Sequence, residues 1–138
     1  MLKEIRDKNK LIALVLTHDH SKPGLEFFTA DELTLQMGYM RYPANHRILP
    51  HVHKPAPRGV TYTLEALFVK SGSILVDLYT EERKFIQAIK LIKDDTILFV
   101  SGGHGFKFIE EGELIEIKQG PYVVQDLDKD KFENPDIQ

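Results

Sequence analysis

Short apolar stretches recur along almost the whole chain of 138 residues, and their spacing of roughly 8 to 12 residues leaves little room for long helices. Each stretch is rich in Val, Ile, Leu, Phe or Tyr, and Gly, Pro, Asn or Asp separates it from the next. This pattern is typical of an antiparallel β-sandwich or barrel. Strands are predicted at residues 11–16, 33–42, 48–53, 61–70, 73–79, 96–100, 105–109 and 114–119. Turns are predicted at residues 71–72, 94–95, 110–112 and 120–121.

Residues 81–92 fit two structures. Phe85, Ile86, Ile89 and Ile92 have the spacing of the apolar side of a helix. A single helix between two strands would interrupt the antiparallel order, however, and we therefore predict a strand here. The fold is expected to be all-β, with little or no helix.

The length and the N-terminal segment bear on domain number and location. A chain of this length is typical of one domain, and no repeat or low-complexity linker divides it. We expect a single domain over residues 1–138, with a barrel core at about 30–122 and a polar C-terminal extension at 123–138. The apolar run at residues 11–16 is too short for a signal peptide or a membrane span. We expect a soluble, cytoplasmic protein with no membrane partner.

Composition limits the possible partners and metal sites. The 18 basic and 21 acidic side chains are spread along the chain, so we expect no nucleic-acid partner. The absence of cysteine excludes disulfides, thiolate zinc sites, iron–sulfur clusters and cysteine nucleophiles. The six histidines remain, and any metal must be held by nitrogen and oxygen.

His51 and His53 are the first candidate ligands. They lie two residues apart on a predicted strand, so both imidazoles point to the same side of the sheet and can reach one ion. Pro50 before the pair and the 54–57 segment after it place them at a strand end. Taken alone, the pair is weak evidence for a metal site, because an exposed or satisfied core position also explains it.

Glu65 and His104 are the next candidates. Glu65 lies within an apolar predicted strand, where an unpaired carboxylate is costly. A bound cation, an ion pair with Arg58 or Lys118, or outward exposure would each explain it. His104 lies among three glycines, whose backbone freedom lets one side chain turn inward. The alternative is a histidine at a tight hairpin.

These residues together resemble the two motifs of the cupin superfamily: His51-Val52-His53, Glu65 followed by Gly72, Asp95, and the glycine-flanked His104. The resemblance implies a double-stranded β-helix, which is a small barrel similar to a jelly roll. It also implies that His51, His53, Glu65 and His104 ligate one divalent metal ion inside the barrel. Iron, manganese, nickel, cobalt and zinc all suit such ligands. The segments around these residues and around Gln119-Gly120-Pro121 look like small stand-alone cupins that are often encoded with nucleotide-sugar and surface-polysaccharide genes.

Further side chains are candidates for substrate contact. Glu116 and Lys118 share one face of a predicted strand. If that face points inward, Lys118 anchors a phosphate or carboxylate and Glu116 acts as a base, beside His51 at the metal. If it points outward, both are solvated. Arg58 is either a clamp for an anionic group or part of a solvated loop.

Two tyrosines and three histidines remain to be assigned. Tyr39 and Tyr122 are further substrate-binding candidates. His18 and His20 form a second pair with this spacing, but a turn follows them and no glutamate accompanies them. We expect them, and His46, to lie at the surface.

Three functions fit this sequence. The first is an enzyme of isomerase or epimerase type, acting on a sugar or sugar nucleotide in surface-polysaccharide metabolism. The second is a non-catalytic module that binds a small, sugar-like molecule, and the third is an iron(II)-dependent dioxygenase. The residues do not separate them, because one fold hosts many functions. Residues 11–16 are predicted to form an edge strand, through which a homodimer would assemble.

Overall fold

The computed structural model describes residues 1–121 and 129–133. The chain divides into two compact units, unit 1 (Met1–His20 and Thr63–Gln138) and unit 2 (Ser21–Tyr62). The described residues contain no helix, and 51% of them lie in strands, which confirms the all-β prediction. No helix able to cross a membrane is therefore found in the described part of the chain.

Eight strands are present in the described residues, six of them in unit 1. Unit 1 contains β1 (Leu2–Asp7), β2 (Lys10–Leu16), β5 (Glu65–Tyr79), β6 (Phe85–Ile92), β7 (Thr96–Phe99) and β8 (Gly103–Lys118). Unit 2 contains the antiparallel pair β3 (Gly24–Phe27) and β4 (Gly38–Arg41).

The sheet of unit 1 is built around β5. Its strand order is β1-β2-β7-β5-β6, and all its pairings are antiparallel. β8 pairs with β5 along its whole length. Because β7 pairs with the same first residues of β5, it must occupy the opposite edge, and β6 continues along that edge. β5 therefore lies between β8 on one edge and β7 and β6 on the other.

The short connection between β7 and β8 requires the sheet of unit 1 to curl. β7 ends at Phe99, beside the first residue of β5, and β8 begins at Gly103, beside Tyr79 at the last residue of β5. A straight strand of 15 residues would span about 46 Å, but the four steps from Phe99 to Gly103 reach at most about 14 Å. The two ends of β5 must therefore approach each other, and the sheet forms a curled half-barrel.

The bend lies where two glycines face each other. Gly72 has φ +73°, and a Cβ there would lie 2.4 Å from the carbonyl oxygen of Glu111. A Cβ on Gly112 would lie 2.3 Å from the carbonyl oxygen of Ser71. The predicted turns at 71–72 and 110–112 are therefore wrong: both are irregularities within continuous strands, because the two backbones remain paired through them.

The bend also keeps one face of β5 in the core. Before it, Leu67 and Val69 point inward, and after it Ile74, Val76 and Leu78 do, all at most 1% exposed. The inward-pointing side chains stand at odd-numbered positions before the bend and at even-numbered positions after it, because the strand register shifts there. The inner face of the half-barrel is thus apolar along nearly the whole strand.

Several further strand predictions can be compared with the structure. Residues 81–92 do form a strand, β6. Only Gly38–Arg41 of the predicted strand 33–42 is a strand, because the Gln36 side chain donates to the carbonyl groups of Ala30 and Leu33 and stabilises a loop instead. The prediction at 48–53 is wrong, since these residues form no strand. Pro50 and two prolines in 54–57 cannot donate to a ladder.

The prediction that residues 11–16 form an edge strand is also wrong. β2 pairs with β1 on one side and with β7 on the other, so it lies inside the sheet. β1 was not predicted from the sequence. Its side chains are mainly polar and include one core residue, Ile5. An edge strand can have few apolar residues because only one side of it is packed. The homodimer stays a prediction, but the strand proposed to mediate it does not lie at an edge of the sheet.

The described part of the predicted C-terminal extension, residues 129–133, packs against other residues of unit 1. Phe132 contacts the ring of Tyr79 edge-on at 5.0 Å between centroids, and the Arg83 guanidinium lies 5.5 Å from the Phe132 ring centroid. Arg83 also pairs with Asp130 at 3.1 Å. Residues 123–128 and 134–138 of the predicted extension lie outside the described residues.

Replacing Gly72 should test the origin of the curl. Gly72→Ala places a Cβ against the Glu111 carbonyl oxygen at a positive φ, so we expect a loss of about 2 kcal/mol or more of unfolding free energy in urea denaturation. The matched control is Gly105→Ala, also in a long strand, because a Cβ there meets nothing within 4 Å. Equal stability of the two variants would contradict this role.

Asp95 should be a second determinant of stability. It is 4% exposed, and its carboxylate accepts from the main-chain N–H groups of His18 and Ile92 at 2.8 and 2.9 Å. Asp95→Ala leaves both donors unpaired, so we expect a loss of about 2 kcal/mol in the same assay. Asp94→Asn is the control, because Asn tolerates the positive φ of that position. An unchanged midpoint for Asp95→Ala would contradict the prediction.

Candidate functional site

Glu65 and His104 meet on the inner face of the half-barrel. Glu65 is the first residue of β5 and shares its inward direction with Leu67. His104 is the second residue of β8 and pairs with Leu78 at the far end of β5. The curl of the sheet brings Nε2 of His104 to 3.7 Å from Oε1 of Glu65.

Phe99 holds the His104 ring in place. The two rings are stacked, with centroids 3.8 Å apart and planes 6° from parallel. Phe99 is also the cross-strand partner of Glu65. The short segment from Phe99 to His104, at the β7–β8 connection, therefore places both rings beside the Glu65 carboxylate. Phe99 was not predicted to be a site residue. The sequence places it at a strand end, five residues before His104.

The Glu65 carboxylate is buried but ionised. Glu65 is 8% exposed, and burial raises its pKa, yet the contact with His104 lowers the pKa by more. Glu116 and Lys129 also favour the charged form. At neutral pH the inner face therefore carries a carboxylate beside an imidazole.

This pair has the spacing of two ligands of one ion. Two donor atoms at about 2.1 Å from a tetrahedral metal lie about 3.4 Å apart, close to the 3.7 Å observed between Glu65 and His104. Carboxylate oxygen and imidazole nitrogen are donors that zinc, iron and manganese accept. The two groups can therefore share a divalent cation with little movement.

Glu116 and Lys118 lie on the inner face of β8. Lys118 is paired with Glu65 and Glu116 with Leu67, so all four side chains point to the same side of the sheet. Leu114, two residues earlier on this face, packs against the core. The register thus places both residues on the face of Glu65, and both side chains are exposed to solvent.

His51 and His53 belong to unit 2. Their rings are in edge contact, with centroids 5.0 Å apart, and His51 Nδ1 lies 2.9 Å from the carbonyl oxygen of Leu49. Both residues are exposed. Within either unit, the described residues contain no group of three or more His, Asp or Glu that could hold a metal.

The other predicted substrate residues are dispersed. Tyr39 lies on β4 and is half-buried. Arg58 lines a cavity of about 580 Å³ within unit 2. Tyr122 lies outside the described residues.

The remaining histidines make local contacts. His18 is exposed, and its Nδ1 lies 3.1 Å from Asp95 Oδ1. His46 is exposed and stacks on Tyr42 at 3.8 Å. His20, in contrast, is half-buried.

Comparisons of the chain with models of protein families, with curated proteins and with solved structures found no match. The resemblance to cupins therefore stays a prediction from the motifs.

The stacking of Phe99 on His104 can be checked by NMR. The ring current of Phe99 should shift the imidazole protons of His104 upfield, and Phe99→Leu should remove the shift because the ring is lost. Phe106→Leu, a replacement on the same inner face, is the control. Unchanged His104 resonances in Phe99→Leu would show that the rings do not stack in solution.

Proposed function

We propose that this protein is a small cupin-like protein that binds one divalent metal ion and acts on a sugar or sugar nucleotide. The proposed chemistry is of isomerase or epimerase type, in surface-polysaccharide metabolism. The observation that carries the proposal is the contact of the buried Glu65 with the half-buried His104, which joins a carboxylate and an imidazole on the concave face of a curled sheet. The spacing and the chemistry of these donors suit a metal ion.

Two ligands are proposed within unit 1. Glu65 and His104 supply one oxygen and one nitrogen, and Phe99 keeps the imidazole beside the carboxylate. A metal in an open site would polarise a substrate carbonyl or hydroxyl oxygen.

Two charged side chains would act on the substrate. Lys118 faces the same side of the sheet as Glu65, and its ammonium group suits a phosphate or carboxylate of the substrate. Glu116 lies two residues away on that face. As a general base it would remove a proton from the carbon next to a carbonyl group, which is the first step of an isomerisation or epimerisation. The proposal gives Lys118 the role of orienting the substrate for this transfer.

Elemental analysis tests the metal. The purified protein, incubated with zinc, manganese or iron(II) and then desalted, should retain about one metal ion, and removal of a ligand lowers affinity by roughly tenfold or more. Glu65→Gln and His104→Ala should each retain less. His46→Ala is the matched control, since His46 stacks on Tyr42 and is not a proposed ligand. Metal contents that do not differ between His104→Ala and His46→Ala would contradict the site.

A turnover assay tests the chemistry. With a keto-sugar nucleotide as substrate, Glu116→Gln should lower kcat by about 100-fold or more, because it removes the base. Lys118→Ala should mainly raise KM, because it removes an anchor for the anionic group. Lys107→Ala is a control on the same strand. Binding of the sugar nucleotide without turnover would contradict the enzyme and favour the non-catalytic module.

A further inference from the structure

A cavity of about 580 Å³ lies within unit 2. Its lining includes Phe27 at the end of β3, the loop between β3 and β4, and Arg58. This volume is within the range of roughly 300–1,000 Å³ that is usual for small-molecule sites. The cavity is thus large enough for a ligand the size of one sugar ring with a substituent.

A set of hydrogen bonds fixes the wall of this cavity. The amide nitrogen of Gln36 donates to the carbonyl oxygens of Ala30 and Leu33 at 3.0 and 2.7 Å. Its amide oxygen accepts from the hydroxyl of Thr29, which is 8% exposed. The loop is therefore held in one conformation before any ligand arrives, which lowers the entropy cost of binding.

The charged groups of the lining indicate the class of ligand. Arg58 makes no ion pair with any described residue, and its guanidinium group suits a phosphate or carboxylate. Asp31 and Glu32 offer carboxylates that accept hydrogen bonds from hydroxyl groups. The lining therefore combines one site for an anion with acceptors for a polyol.

Phe27 supplies the apolar surface. It is 58% exposed although it lines the cavity. Its ring lies against the backbone of Gly38, where an added Cβ would be 2.9 Å from two ring carbons. A fixed, accessible aromatic ring is a suitable platform for the apolar face of a sugar ring.

We propose that this cavity of unit 2 binds a small anionic polyol of the sugar-phosphate type. Arg58 holds the anionic group, Asp31 and Glu32 accept from hydroxyls, and Phe27 packs on the ring. The proposal requires no metal ion. It goes beyond the function proposed above, because none of these residues belongs to the Glu65–His104 pair.

Titration calorimetry with glucose 1-phosphate tests the proposal. EDTA is present throughout, so failure of the proposed metal site cannot affect the result. Glucose 1-phosphate should bind, Arg58→Ala should weaken binding at least tenfold, and Phe27→Ala should weaken it severalfold. Arg47→Ala is the matched control, since Arg47 is an exposed arginine of the same unit outside the lining and should leave the affinity unchanged.

Two further probes separate the parts of the ligand. Glucose should bind more weakly than glucose 1-phosphate and should not respond to Arg58→Ala. Inorganic phosphate should also bind more weakly and should not respond to Phe27→Ala. The proposal is overturned if glucose 1-phosphate does not bind, if Arg58→Ala and Arg47→Ala have equal effects, or if inorganic phosphate binds as tightly as the sugar phosphate. Circular dichroism of each variant verifies that it is folded.

Discussion

The curl of the unit 1 sheet depends on one close backbone approach, between Gly72 of β5 and Gly112 of β8. At this point neither strand has room for a Cβ, and the alternation of inward and outward side chains changes by one residue. Apolar residues thereby remain on the inner face on both sides of the bend. The three-residue connection from Phe99 to Gly103 is possible only because the strand bends.

The same bend creates the site. Glu65 and His104 lie at opposite ends of β5, as the first residue of that strand and the partner of Leu78. Only a curled sheet brings them within 3.7 Å of each other. The buried carboxylate stays charged because the contact with His104 outweighs the effect of burial on its pKa. A charged group that faces an apolar concave surface, with Lys118 and Glu116 on the same side, is the arrangement on which the proposed metal binding and proton transfer depend.

Unit 2 is organised differently. Its only strands in the described residues are the four-residue pair β3 and β4, and side-chain hydrogen bonds from Gln36 shape the loop between them. Prolines at and after Pro50 remove donors that a strand at 48–53 would need. The exposed His51 and His53 therefore keep their contact through proximity in sequence, and not through alternation on a strand.

The sequence by itself determined the all-β class, the strand at 81–92, and Glu65 and His104 as the polar residues to examine. The class follows from the spacing of the short apolar stretches, and the strand at 81–92 follows from the antiparallel order around it. Glu65 follows from the cost of placing a carboxylate in an apolar strand, and His104 from the glycines around it. It misassigned Ser71-Gly72 and Glu110-Glu111-Gly112 as turns, because a glycine that permits a turn and a glycine that permits close approach have the same local signature. Only the tertiary structure decided that these glycines bend two continuous strands, that Phe99 stacks on His104, and that Glu116 and Lys118 share the face of Glu65. Each of these depends on contacts between residues far apart in the chain, and the pairing of β5 with its neighbours fixes those contacts.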